Sequence, residues 1–281
     1  MTCMELVLGT AQLTRPYGVL SASQFSEGDS PQELFRAARE SGFSALDTAA
    51  LYGNAEEAIG SVDHGLKVHT KLDPALDPEK SVHQSLRRLG VSFIDVVYLH
   101  EEFSGSRAQK ETLQHLHTGL RSKIGAVGVS IYSEAEFFLA LETPEISAIQ
   151  LPLSALDRKF GPDHLAQASG AGTSVFARSI FLQGLLLIPS RDIPRRVKSL
   201  GPYVEQFQKI ADRHSVSYAD AALHFTKSYP SLAGIVIGAN TVANIIEIAQ
   251  SFHREQPTEF LDEFLQVASP PAHLTDPRLW S

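Results

Sequence analysis

The stretch Leu6-Val7-Leu8-Gly9-Thr10-Ala11-Gln12 decides the fold by what it holds and by what it lacks. Residues 6–10 are mostly apolar and too few for a buried helix, as expected of a strand covered on both faces. Similar runs recur at residues 45–48, 66–71, 94–100, 124–130, 148–151, 174–178 and 234–238. Amphipathic segments alternate with them. Residues 31–40 carry Ser30 as an N-cap, Pro31 at the first helical position and Gly42 as a stop; Asp77 and Gly90 frame residues 78–89 in the same way. Further helices are expected over 108–120, 134–141, 163–168, 204–214, 219–228 and 241–251. Eight strands alternating with helices give an α/β chain folded as one (β/α)8, or TIM, barrel across residues 1–281. A doubly wound open sheet is the rival. Its first strand should run into Gly-x-Gly-x-x-Gly, which Gly9-Thr10-Ala11-Gln12 does not supply. Two segments break the rhythm: an irregular loop at 182–199, with Arg191, Arg195 and Arg196, and a proline-rich tail at 269–281.

The bulk properties narrow the class. Of 281 residues, 43% are hydrophobic and 20% charged, enough to bury a full core. A net charge of −8 without a basic block argues against nucleic acid as a partner. The single cysteine, Cys3, rules out an internal disulfide and fits a reducing compartment. The N-terminus lacks the pattern of a signal peptide, and no apolar stretch reaches the roughly 20 residues of a membrane helix. A soluble cytoplasmic protein is expected, with no membrane partner and no indication of its oligomeric state.

In a TIM barrel the chemistry sits at the C-terminal strand ends. The expected strands end at Thr10, Asp47, Lys71, His100, Ser130, Gln150, Arg178 and Gly238. Any one of these is most simply a strand meeting solvent; the whole ring is not. Asp47, Lys71 and His100, with Tyr52 shortly after Asp47, form a set that can move a proton. A free phenol is a weak acid near neutrality, and a neighbouring ammonium strengthens it. The rival readings are a structural Asp47–Lys71 ion pair, a core histidine and a packing tyrosine. No metal is expected. His64, His69 and His100 lack convergent carboxylates, and His115 and His117 on a helix would face apart.

At these residues the chain resembles the aldo-keto reductase family. Asp47-Thr48-Ala49-x-x-Tyr52-Gly53-x-x-Glu56-x-x-Ile59-Gly60 is similar to its signature. Val96-Val97-Tyr98-Leu99-His100 resembles its histidine-bearing strand, and Lys123-Ile124-x-Ala126-Val127-Gly128-Val129-Ser130 its fifth-strand motif. The likeness runs from Leu8 to about Gln250, with a bacterial-type Gly238-Ala239 turn. It implies reversible reduction of an aldehyde or ketone by NADPH, with NADH open. Tyr52 would be the general acid, Lys71 would tune it, Asp47 would hold Lys71, and His100 would orient the carbonyl.

By position, the resemblance puts Gly9 and Thr10 near the nicotinamide and Ser130 and Gln150 on its carboxamide. Arg178, Ser179, Leu182, Gln183, Gly184, Gly238, Asn240, Thr241 and Asn244 complete the implied cofactor set. Backbone N–H groups near Thr241 offer a phosphate seat. The chain departs from the family in several places. Ile131 stands where asparagine is common, Arg178 replaces an aromatic residue under the nicotinamide, Asn244 replaces Gln or Arg, and Ile248 replaces an adenine-contacting Asn. Arg191, Arg195 and Arg196 are open as a pyrophosphate clamp or as a solvated loop. Leu20, Leu51, Phe103, Ile131, Tyr132 and Trp280 are expected to line the pocket of a small carbonyl substrate. Two other functions stay open: a cofactor-binding regulatory or redox-sensing barrel with little turnover, and a Schiff-base aldolase or isomerase using Lys71.

Overall fold

A computed structural model describes residues 4–13, 18–19, 28–255 and 259–280. Eight parallel strands close into a barrel in sequence order: β1 (Glu5–Gly9), β2 (Ala45–Asp47), β3 (Lys67–Lys71), β4 (Ile94–Leu99), β5 (Ile124–Ser130), β6 (Ala148–Pro152), β7 (Ser174–Arg178) and β8 (Gly234–Gly238). The seam is the pairing of β1 with β8, in register from Glu5 opposite Gly234 to Gly9 opposite Gly238. Between the strands lie α1 (Pro31–Glu40), α2 (Ala55–Gly60), α3 (Pro78–Leu89), α4 (Arg107–Gly119), α5 (Glu134–Leu141), α6 (Pro162–Gly170), α7 (Gly201–Arg213) and α8 (Tyr218–Lys227). After β8 come α9 (Val242–His253), α10 (Glu259–Gln266) and the short α11 (Ala272–Thr275). The irregular stretch after β7 contains two short 3-10 turns, Ser190–Asp192 and Arg195–Leu200.

The helix boundaries follow local chemistry. Ser30 accepts from the Glu33 amide while the Glu33 carboxylate reaches back to the Ser30 N–H, a reciprocal cap for α1. Asp77 caps α3 and left-handed Gly90 ends it. Helices α2 and α10 are absent from the pattern expected of the sequence. At six residues α2 is too short to show periodicity, and it has no side-chain cap. It is held instead by burial of Ala55, Glu56 and Ile59.

The period of two along each strand sorts the interior. Val7, Ala45, Phe176 and Val236 pack in one cluster, and Val96, Tyr98 and Ala148 in another, both separate from the large core beneath the helices. These lumen residues share parity with Asp47, Lys71, His100, Ser130, Gln150, Arg178 and Gly238. The polar strand ends therefore cap the same face whose lower positions fill the barrel. Gly128 makes room for this filling: a Cβ there would come within 2.6 Å of the Tyr98 ring. His69 lies edge-on to Phe176, with ring centroids 5.0 Å apart. Among the described residues, no helix is long and apolar enough to cross a membrane.

Candidate active site

The ends of β2 and β3 bring Asp47 and Lys71 together. Lys71 Nζ lies 2.7 Å from Asp47 Oδ2 and also donates to the Thr48 carbonyl at 3.0 Å. Both side chains are sealed from solvent, at 4% exposure for Asp47 and 2% for Lys71. From across the barrel, Gln150 Nε2 donates to Asp47 Oδ1 at 2.8 Å, so both carboxylate oxygens are engaged. Burial alone would lower the Lys71 pKa. Asp47 first, and then Tyr52, outweigh it, so Lys71 titrates above the ordinary lysine range and stays an ammonium.

Tyr52 reaches this pair through a short turn. The Ala50 N–H donates to the Lys71 carbonyl and the Tyr52 N–H to the Ala49 carbonyl, each at 3.0 Å. Lys71 Nζ then stands 5.3 Å from the Tyr52 ring centroid. His100 meets the same ring edge-on, with centroids 5.9 Å apart and planes at 80°. Glu56, one turn further on, is buried; it accepts from the Thr70 hydroxyl at 2.8 Å, with Arg88 at 3.5 Å. The four residues singled out in the sequence thus meet in one place.

From Tyr52 a cleft of about 410 Å³ runs along the barrel mouth to the facing sides of α8 and α9. Gly9, Thr10, Gln150, Arg178, Ser179, Gln183, Gly184, Gly238, Asn240 and Asn244, all among the residues expected to contact a cofactor, line it. Its middle wall is the turn after β7, where Ser179, Leu182 and Gln183 take φ of 61°, 48° and 55°. Three side-chain-bearing residues in the left-handed region mark a backbone held by its surroundings at a ligand-sized cleft. Among the described residues none bonds to Gln150 Oε1, which is buried at the Tyr52 end and is an acceptor suited to an amide N–H.

Other expected residues lie elsewhere. Leu182 is buried in the core. Ser130 is half-buried at the end of β5, off the cleft wall. Thr241 caps α9 by accepting from the Asn244 amide. Phe103 and Ile131, expected in the substrate pocket, are 1% and 0% exposed and belong to the main core. Ile131 follows Ser130 by one residue and so turns to the helix side, while the Phe103 amide is fixed by Glu136. Leu51 is exposed. Trp280 packs on the core and donates from Nε1 to the Leu274 carbonyl. The Tyr132 ring carries two guanidinium groups, Arg178 at 4.1 Å and Arg278 of the tail at 3.7 Å. Leu20 falls outside the described residues. Of the loop arginines, Arg196 donates to the Gly18 and Val19 carbonyls and Arg191 sits 3.8 Å from Asp192; neither lines the cleft. Asp220, Leu223, Glu247 and Ser251, none of them expected from the sequence, line the far end.

Comparison with known proteins gives the family. The model of the Aldo/keto reductase family matches residues 5–268. The chain belongs to the aldo-keto reductase family. It is 24% identical over 261 residues to the glyoxal reductase of Bacillus subtilis (strain 168), covering 88% of this chain and 87% of that one. Among solved structures it is similar to the glycerol dehydrogenase AKR11B4 from Gluconobacter oxydans, with a TM-score of 0.71 at 22% identity, over 92% of this chain and 90% of the other. The holo form of the aldo-keto reductase AKR11C1 from Bacillus halodurans gives 0.73 at 20% identity, over 93% and 91%. At these identities the structural likeness establishes the barrel, and the functional reading rests on the family and on the site.

Proposed function

We propose that this aldo-keto reductase reversibly reduces a small aldehyde or ketone with NADPH or NADH, the proton coming from Tyr52. The observation that carries the reading is the buried Asp47–Lys71 pair, which fixes an ammonium beside the Tyr52 ring at the mouth of a long cleft. A nicotinamide dinucleotide, when bound, supplies the hydride that no side chain can. The residues present fit such a group. The cleft continues well past Tyr52, and Gln150 Oε1 is left to accept from a carboxamide.

The chain's own groups account for the rest. Reduction builds negative charge on the carbonyl oxygen, so a proton donor and a hydrogen-bond donor must face it. Tyr52 is the donor of the proton, and the reverse reaction returns that proton to it. Lys71 stabilises the phenolate left behind. Asp47 holds Lys71 in place and offsets the burial of its charge. His100, edge-on to Tyr52, orients the carbonyl oxygen. The raised pKa of Lys71 counts against the Schiff-base reading, which needs a neutral amine. The names of the relatives, a glyoxal reductase and a glycerol dehydrogenase, favour a small oxygenated carbonyl and its alcohol. The single cysteine favours a cytoplasmic setting.

The test is a calorimetric titration with reduced dinucleotides beside turnover of glyoxal and an activated aromatic aldehyde. Binding with turnover is expected. Binding without turnover would favour a regulatory barrel, and no binding at all would sink the reading.

A further inference from the structure

We propose that the end of the cleft far from Tyr52 is built for a dinucleotide without a 2′-phosphate, so that this chain takes NADH and NAD+ in preference to NADPH and NADP+. The proposal rests on the nicotinamide reading above and adds the choice of cofactor, against the NADPH that the family resemblance implied.

The first observation is at the N-terminus of α9. A helix start gathers partial positive charge and free N–H groups, and is a natural seat for phosphate. Here two of those N–H groups are already taken. Asp29 Oδ2 accepts from the Val242 N–H at 2.6 Å, and Thr241 takes the Asn244 amide. Asp29 is itself anchored, its N–H donating to the Asn240 carbonyl at 3.0 Å. Gly28 lets the chain lie this close: a Cβ there would come within 2.2 Å of the Asn240 oxygen. A side-chain carboxylate therefore occupies the anion position next to cleft residue Asn240, and a phosphate arriving there would meet like charge.

The second observation is the charge of the walls. Asp220 on α8 and Glu247 on α9 both line the far end of the cleft. Asp220 accepts from the Ser251 hydroxyl and stands 3.7 Å from Arg254. Arg178 is the one lysine or arginine among the described lining residues. It sits at the opposite end, against Tyr132 and the Ile131 carbonyl, close enough to act on Lys71. Lys227, on the same helix as Asp220, is turned to the Phe252 carbonyl. The remaining lining groups here, Asn240, Asn244 and Ile248, are neutral. A 2′-phosphate adds nearly two negative charges, whereas a free 2′-hydroxyl can donate a hydrogen bond to a carboxylate. The far end thus suits the hydroxyl and repels the phosphate.

The experiment is calorimetry on the full chain with NADH and NADPH at two ionic strengths. NADH should bind at least about tenfold more tightly, a difference of about 1.4 kcal/mol. Added salt should narrow the gap by screening the repulsion; a cationic clamp on the phosphate would give the opposite slope. Asp29→Asn and Asp220→Asn should each raise NADPH affinity several-fold relative to NADH, and Asn244→Arg should raise it further. Equal affinities in the wild-type protein, tighter NADPH, or an NADPH advantage that salt weakens would overturn the proposal and leave the reductase reading intact. If neither dinucleotide binds, the reductase reading falls and this one with it.

Discussion

Replacing Asp47 by asparagine probes the centre of the site. The side chain keeps its shape and one acceptor for Lys71, and Gln150 can turn its amide over to meet the new NH2 group. What is lost is charge. At 2.7 Å and an effective dielectric near 20, the Asp47–Lys71 attraction is about 6 kcal/mol. Lys71 can escape the full loss by giving up its proton. Doing so at pH 7, against an unfolded pKa of about 10.4, costs about 4.6 kcal/mol. A destabilisation of about 3–5 kcal/mol is therefore expected, the usual range for removing one partner of a buried pair. The sign of its pH dependence follows. In the wild-type protein Lys71 is charged in both states between pH 7 and 9, so its contribution is flat there. In the variant a neutral folded lysine faces a charged unfolded one, and the penalty shrinks by about 1.4 kcal/mol per pH unit as pH rises. Urea unfolding followed by circular dichroism at pH 7 and 9 measures both effects. The double variant Asp47→Asn with Lys71→Met should recover most of the stability while failing to reduce an aldehyde. A single-variant loss below about 1 kcal/mol, or a double variant no more stable than the single one, would refute the reasoning.

Two further perturbations test the frame around the site. Arg158 donates to the Phe264 and Val267 carbonyls and to the Ser269 hydroxyl, closing the end of α10; Arg158→Ala should cost about 2 kcal/mol locally and speed amide exchange over residues 259–280. Strand amides should be unchanged, and equal acceleration throughout the barrel would contradict this role. Burial holds the His69 imidazole below its ordinary range, despite the upward pull of Asp47, Glu5 and Asp95. It stays neutral in the folded barrel while the unfolded chain takes a proton, so its stability contribution is complete above about pH 6.5 and is lost as pH falls, by up to about 1.4 kcal/mol per unit. His69→Gln should flatten that part of the urea-midpoint profile between pH 7 and 5, and an unchanged slope would argue against it.

The barrel and the polar ring at its strand ends were legible because both follow from short-range rules. A strand alternates faces, so a polar residue at the end of an apolar run declares which side chain tops the lumen; Asp47, Lys71, His100 and Gln150 all obey this. Helices α1 and α3 were readable because Ser30, Pro31, Asp77 and Gly90 mark their ends chemically. The same alternation, applied one residue further, would have turned Ile131 away from the pocket. What could not be read is what barrel closure brings together. Asp29 precedes α1, Asp220 is on α8 and Glu247 on α9, and in the sequence each looks like an ordinary solvated acid. Only the pairing of β8 with β1 sets Asp29 on the start of α9. Thr241 was rightly seen at a helix start, yet nothing local showed that the adjacent N–H already had a carboxylate. Helix α2 is too short to announce itself, since burial holds it where a cap would otherwise do so.

The proposed mechanism stands on proton delivery by Tyr52. It is tested most directly by the Tyr52→Phe variant, with aldehyde reduction and dinucleotide affinity measured on one preparation. Reduction should fall by at least about 100-fold while calorimetric affinity for the reduced dinucleotide stays within about twofold. A variant that reduces the aldehyde at the wild-type rate would contradict it.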